Sequence, residues 1–350
     1  MKILFDAYWW AEGPFSNRTV QRELIGTWSQ EHPEDELTMM VPSAHLSQAR
    51  LDAPTGAALV GTPLRPHGLA AAFAAPVIAR RVGADLTITH NFAPIVGRSA
   101  VFIHDVLFQS DPEWFTWRER AYFAGMPLLA PRAQVVVTSS QSEAERIRQY
   151  NRSLRRVVPI GLAVRTQLRT AEPVRPSALP DVDGFLLTVG RLNVRKNLIT
   201  TLTAALQSGE LSRRQPLVVV GEQDGRALPL PPDLRAAITD GTIVLLARVG
   251  DSELAWLYRH ARLFVFLSLD EGFGLTPVEA LTFGCPCLVS DIKVFHETLR
   301  DRARYVAPLD AGAAAAAITA SLEAPERSHP AETLSWSQSV SRLRAAAGLF

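Results

Sequence analysis

Cysteine and lysine are scarce in this chain of 350 residues, and long apolar runs are absent. The two cysteines form Cys285-Pro286-Cys287. Two positions apart is a poor disulfide geometry and half a metal site at most, so neither an oxidising compartment nor zinc is implied. An excess of either charge is also missing: 36 Lys+Arg against 35 Asp+Glu leave +1. That balance excludes a dominant electrostatic pull toward nucleic acid or an anionic membrane. No uncharged apolar stretch reaches the roughly 18–20 residues of a membrane span. The longest, Gly68 to Ala79, is Ala-rich and closes on Arg80-Arg81; it suits a buried or surface helix, with a membrane-surface helix as the second reading. Nor does the start read as a leader, since Met1-Lys2 runs through Ile3-Leu4-Phe5 straight to Asp6, and a cytoplasmic protein is expected. Only Lys2, Lys196 and Lys293 are lysines among the 36 basic residues, so each stands out against an arginine background.

What is present is an ordinary globular composition, 47% hydrophobic and 20% charged, in a chain long enough for two domains. Short aliphatic runs recur without alternation, as in strands buried on both faces of a parallel sheet. They fall at Lys2–Phe5, Leu37–Val41, Leu86–Thr89, Ala100–His104 and Gln134–Thr138, then at Phe185–Val189, Leu217–Val220, Thr242–Leu246 and Leu263–Leu267. Helical spacing lies between them: Leu254, Leu257, Tyr258 and Ala261 share a face, and Asp251 is placed to cap their helix. Strand–helix alternation in both halves predicts two doubly wound α/β units. The seam falls near Val164–Asp183, where Pro173, Pro176 and Pro180 sit among scattered polar residues. The expected division is a first domain over 1–165, a linker over 166–183, a second domain over 184–333 and a C-terminal helix over 334–350.

Ligands bind such sheets at the carboxyl ends of the strands. One segment there is Glu271-Gly272-Phe273-Gly274-Leu275-Thr276-Pro277-Val278-Glu279, after the run Leu263–Leu267. Its glycines allow close backbone approach, and free amides at a helix start favour an anion such as phosphate. Glu271 can meet hydroxyls beside that anion. Glu279 has two readings, a second polyol contact or the capping box of Thr276-Pro277-Val278-Glu279. A second motif, Gly190-Arg191-Leu192-Asn193-Val194-Arg195-Lys196-Asn197, follows Phe185–Val189. Arg191 and Lys196 can converge on one diphosphate, or the segment is a solvated basic turn; the rarity of lysine favours the first.

His104 ends a strand at Val101-Phe102-Ile103-His104-Asp105. It reads either as a donor to a sugar hydroxyl or as a structural histidine. His45, His67 and His90 are read as structural. Gly13, in the first loop before Pro14 and Phe15, is a weak phosphate-loop signal. Ser139 to Glu143 reads as helix-capping chemistry. Asp181-Val182-Asp183 has the spacing of a metal-binding pair but lies in the proline-containing seam, and reads as a solvated loop.

Together these residues resemble the GT-B glycosyltransferases, in particular the retaining family 4 (glycosyltransferase group 1), with a mannosyl- and rhamnosyltransferase-like character. Glu271 and Glu279 match its paired-glutamate motif, Gly190-Arg191 with Lys196-Asn197 its diphosphate motif, and His104-Asp105 its central histidine-aspartate. The likeness extends over most of the chain, from GADLTIT through the stretch from Phe185 to Pro308 to Leu334-Ser335-Trp336. It departs at the first loop, where Gly13-Pro14-Phe15 replaces a glycine-richer sequence, and at Ile160-Gly161. The resemblance implies two Rossmann-like domains facing across a cleft. Arg191, Lys196 and the amides of Phe273, Gly274 and Leu275 would bind the donor diphosphate, and Glu271 the sugar hydroxyls. Glu279 would bind the ribose and Val249 would line the base pocket, with His104 near the reacting centre. The tail after Trp336 would cross back onto the first domain.

The expected reaction is metal-independent hexosyl transfer, with retention, from a nucleotide sugar to a saccharide or lipid-linked saccharide acceptor in cell-surface polysaccharide synthesis. No other cofactor and no nucleic acid are expected. GDP-mannose is the first choice of donor; UDP-glucose, UDP-N-acetylglucosamine and dTDP-rhamnose stay open, as does a nucleotide-sugar epimerase or hydrolase on the same scaffold. A two-domain sugar-binding protein is the non-enzymatic rival. Peripheral contact with the inner face of a membrane would run through Gly68–Arg81.

Overall fold

In the computed structural model, residues 1–190, 194–221, 230–324 and 334–349 are described. The chain forms two compact units: Met1–Ala163 with Leu334–Phe350, and Val164–Thr333.

The first unit is built on a parallel sheet of seven strands: β1 (Lys2–Asp6), β2 (Glu36–Pro42), β3 (Ala58–Thr62), β4 (Leu86–His90), β5 (Ser99–Ile103), β6 (Val135–Thr138) and β7 (Val157–Pro159). Their order is β3-β2-β1-β4-β5-β6-β7. The strands buried on both faces are those that carry uninterrupted aliphatic runs. Every residue of β4, β5 and β6 is buried, and helices cover both faces as parallel crossovers require. The C-terminal helix Trp336–Ala346 belongs to this unit. Its Arg344 pairs with Asp35 at 2.5 Å, and its Ser339 hydroxyl donates to the Gly161 carbonyl at 3.1 Å. Asp35 also accepts from the Trp28 indole and the Met1 ammonium.

The second unit carries a parallel sheet of six strands: β8 (Leu186–Val189), β9 (Leu217–Val220), β10 (Ile243–Leu246), β11 (Leu263–Phe266), β12 (Cys287–Ser290) and β13 (Arg304–Val306). Their order is β10-β9-β8-β11-β12-β13. Cys285 and Cys287 are buried free thiols at the start of β12. The stretch 166–183, expected as a linker, packs on this unit. Val174 N–H donates to the Ser252 carbonyl at 3.0 Å, and Arg214 pairs with Asp181 at 2.9 Å and Asp183 at 2.6 Å.

Strand order reverses between β1 and β4 in the first unit, and between β8 and β11 in the second. Loops leaving two such strands diverge, so a crevice opens at their carboxyl ends.

Two capping expectations are corrected. The helix at the glycine segment starts at Leu275, after Gly274 in the left-handed conformation (φ 81°), and no side chain caps it. Thr276 therefore sits inside the first turn and the capping box does not form. The helix Asp251–His260 starts after Gly250, whose N–H donates to the Glu253 carboxylate at 3.0 Å. Asp251 is thus not the cap, and its carboxylate instead meets Arg165 at 2.7 Å. The cap at Ser140 is as expected: its hydroxyl accepts from Glu143 N–H at 3.0 Å.

Candidate functional site

The carboxyl ends of β8 and β11 bring the two motifs of the second unit together. Hydrogen bonds to backbone carbonyls clasp them. Leu269 N–H donates to the Arg195 carbonyl at 2.8 Å, and the Ser268 hydroxyl reaches the same carbonyl at 3.1 Å. The Asn197 amide donates to the Leu267 carbonyl at 2.9 Å and to that of Pro308 at 2.5 Å. Asn197 can do this because its backbone is left-handed (φ 51°), a conformation asparagine tolerates.

Within this clasp Glu271 is buried, with 7% of its surface exposed. Its Oε1 meets Lys196 Nζ at 2.5 Å and accepts from the Ser268 hydroxyl at 2.7 Å. Its Oε2 meets Arg195 at 2.6 Å. Burial pushes this carboxyl up, but the charges of Arg195 and Lys196 outweigh it and hold the group at about 2. Lys196 also lies 4.8 Å from the centre of the Phe266 ring. A shallow pocket beside it is lined by Thr188, Gly190, Lys196 and Phe266.

The helix Leu275–Thr282 starts four residues beyond Glu271. Gly274 is required there, because a Cβ at that position would run into the Phe295 ring. Gly272 lies in the same loop, and Phe273 is buried. Glu279, on that helix, is buried as well. It accepts from the Tyr258 hydroxyl at 3.1 Å, and Arg165 Nε lies 3.7 Å away. Burial raises its carboxyl above the usual range, against the pull of Arg165. Val249 lies in the loop between β10 and the helix Asp251–His260.

Other expected residues fall elsewhere. Arg191 lies outside the described residues. Gly13 follows β1 with φ 134°, where a Cβ would strike the Trp9 ring; packing against Trp9 is a sufficient reason for glycine there. His104, also in the first unit, is partly buried just beyond β5. Its Nε2 lies 3.3 Å from His90 Nδ1, and its backbone N–H donates to Asn91 Oδ1 at 3.2 Å. Burial, then His90 and His67, push its imidazole well below the usual range.

Four residues at these sites escaped the sequence reading. Arg195 shares a basic turn with Lys196, and only the folded turn shows which cations face Glu271. Arg165 and Tyr258 converge on Glu279 from distant segments. His90, read as structural, touches His104; its position at a strand's carboxyl end was the available signal.

Residues 171–333 match the family described as "Glycosyl transferases group 1". The chain is 29% identical over 237 residues to O-antigen chain mannosyltransferase B of Escherichia coli, covering 65% of this chain and 61% of the relative. This chain therefore spans about three fifths of that protein's length. It is 36% identical over 115 residues to GDP-mannose:cellobiosyl-diphosphopolyprenol alpha-mannosyltransferase of Xanthomonas oryzae pv. oryzae, covering 31% of this chain and 29% of the relative. Among solved structures, sucrose-phosphate synthase from Thermosynechococcus elongatus superimposes with a TM-score of 0.71 at 17% identity, covering 99% of this chain and 94% of that one. At that identity the likeness speaks for the fold. Residues 171–333 thus resemble the glycosyl transferases group 1 family, in a chain of two parallel-sheet α/β units that shares its fold with that solved structure.

Proposed function

We propose that the protein transfers a mannosyl unit from GDP-mannose to a saccharide hydroxyl, with retention, in cell-surface polysaccharide synthesis. The observation that carries this reading is the meeting of Lys196 and Glu271, 2.5 Å apart, at the point where the strand order of the second sheet reverses. A diphosphate placed there would compete with Glu271 for Lys196 and Arg195. The released carboxylate would then accept from sugar hydroxyls. As the sugar leaves, negative charge grows on the diphosphate. Lys196, Arg195 and the amides starting the helix Leu275–Thr282 stabilise that charge. Arg191, at the same turn in sequence, would add to them. Glu279 would take the ribose and Val249 the base, while His104 would touch the sugar. The printed names of the two relatives support mannose, and that of the second supports a GDP donor and an α product. Retention calls for attack on the face the diphosphate leaves, with the leaving phosphate taking the acceptor's proton.

The acceptor is proposed to be lipid-linked and met at a membrane surface through the first unit. Leu69, Phe73 and Val77 stand exposed at four-residue spacing along the helical stretch 67–82, with Arg65, Arg80 and Arg81 at its ends. Ile95 and Val96 lie beside it, Ile95 N–H donating to the Ala72 carbonyl at 3.1 Å. Among the described residues no helix is long and apolar enough to cross a membrane. Cosedimentation with anionic vesicles tests this contact; no binding at low salt would remove it.

A thermal-shift series with GDP, UDP and dTDP tests the donor, since a ligand stabilises the state it binds. GDP is expected to give the largest rise in Tm, and a larger rise with UDP or dTDP would reassign the donor. NMR of GDP-mannose with enzyme alone tests the reaction class. Rapid donor loss without acceptor would replace transfer by hydrolysis or epimerisation.

A further inference from the structure

At the reversal point of the first sheet, the ends of β1, β4 and β5 gather Asp6, His90 and His104, joined by His67 from the start of the helical stretch 67–82. Asp6 is fully buried. Its Oδ2 accepts from His67 Nε2 at 2.7 Å and from His90 backbone N–H at 3.2 Å, and its Oδ1 from Tyr8 N–H at 3.1 Å. The His90 backbone is therefore fixed by a carboxylate that is itself fixed from three sides. Its ring, 1% exposed, points Nδ1 at His104 Nε2, with the two ring planes 26° apart.

His104 is held at three places. His90 meets its ring, Asn91 Oδ1 accepts from its backbone N–H, and Phe102 lies against its ring edge-on at 4.7 Å between centroids. Asn91 achieves this from a left-handed backbone (φ 59°), a conformation asparagine tolerates. Two neutral imidazoles can share only one N–H between facing nitrogens. If His90 Nδ1 carries it, the proton of His104 sits on Nδ1; if His104 Nε2 carries it, Nδ1 is bare. The partner at one edge of the ring thus decides whether the other edge donates or accepts. Burial keeps both rings neutral, pushing His90 down to about 4. His104 Nδ1 has no hydrogen-bond partner among the described residues, so the edge set by His90 is the one left for a ligand.

We infer that His90 is a positioning residue, which holds His104 in one ring orientation and one tautomer for contact with the sugar of the donor. The inference rests on the proposed role of His104 and extends it to a residue that would not itself touch the ligand.

The test compares wild type, His90→Leu, His90→Asn and His104→Asn. Two-bond proton–nitrogen correlation spectra of the histidine rings report the His104 tautomer and need no substrate. GDP release from GDP-mannose reports kcat and KM, and thermal unfolding checks that each variant folds. Wild type is expected to show a single His104 tautomer. His90→Leu should average the two and lower kcat about tenfold with little change in KM, the scale of one lost hydrogen bond. His90→Asn, which keeps an N–H near the Nδ1 position, should restore both signals. Wild-type His104 shifts in folded His90→Leu, or an equal loss in folded His90→Asn, would overturn the assignment. Unchanged GDP release in His104→Asn would instead remove the role given to His104, while the spectra would still decide whether His90 sets its tautomer.

Discussion

In the second unit Glu271 stands against a lysine and an arginine; in the first, Asp6 stands against one histidine and two backbone N–H groups. Both carboxylates are buried at the strand ends where their sheets reverse, and both are held below the usual carboxylate range despite burial. Their partners differ in kind. Lys196 and Arg195 are cationic groups, the kind of partner that a phosphate also takes. The partners around Asp6 are a histidine ring and main-chain dipoles, so this cluster suits hydroxyl groups and fixed orientation.

The comparison breaks most severely at Asp6. Asp6→Ala strands a buried histidine without its acceptor, and urea unfolding should show a loss of about 3–5 kcal/mol. A loss below about 1 kcal/mol would mean that the carboxylate does not hold this end of the sheet. The counterpart in the second unit is Lys196→Ala. Arg195 still pairs with Glu271 there, so stability should stay near wild type. Turnover of GDP-mannose should nevertheless fall by about 10²–10³, the scale of one lost charge-stabilising donor. Near-normal turnover would refute the role of Lys196.

Acid should separate the two units. His90 stays neutral in the folded chain down to about pH 4 but takes up a proton near pH 6.5 when unfolded. The unfolded state then binds more protons across that window, and stability falls as pH drops through it, by about 3 kcal/mol in all. Glu271, held at about 2, loses its contribution only below the usual carboxylate range, near pH 4.5. Glu279, raised by burial, favours the folded state as acid is added. Hydrogen exchange read by mass spectrometry should therefore show the β4–β5 region losing protection at a higher pH than β8 and β11. Simultaneous loss would show that His90 does not set the acid limit of the first unit. The smallest effect is expected for Tyr258→Phe, which removes the hydroxyl donated to Glu279 and should cost about 1–2 kcal/mol in a denaturant titration.

Much of this arrangement is legible in the chain before folding. Among the described residues, the aliphatic runs locate nine of thirteen strands, because a strand covered on both faces has no solvent side to write polar residues on. The four others are short or mixed. β7 spans Val157–Pro159 and β13 Arg304–Val306, while β3 is mostly half-exposed at the sheet edge. The last of them, β12, spans only Cys287–Ser290. Lys196 and Glu271 could be picked out because each follows such a run within a few residues. Arg195 could not, since neighbouring cations in a turn differ only in which way the folded backbone aims them. The cap assigned to Thr276 failed for a related reason: Gly274 lets the helix begin two residues earlier than the polar pattern suggests.

Local order in the amino-acid chain determined the alternating α/β units and placed one acidic and one basic motif at strand ends, because aliphatic runs and turn residues act over a few positions. Only tertiary structure decided which charges neutralise one another, since Glu271 meets cations 75 and 76 positions away and Asp6 meets a histidine 61 positions away. The burial that shifts their protonation exists only once the sheets have assembled around them.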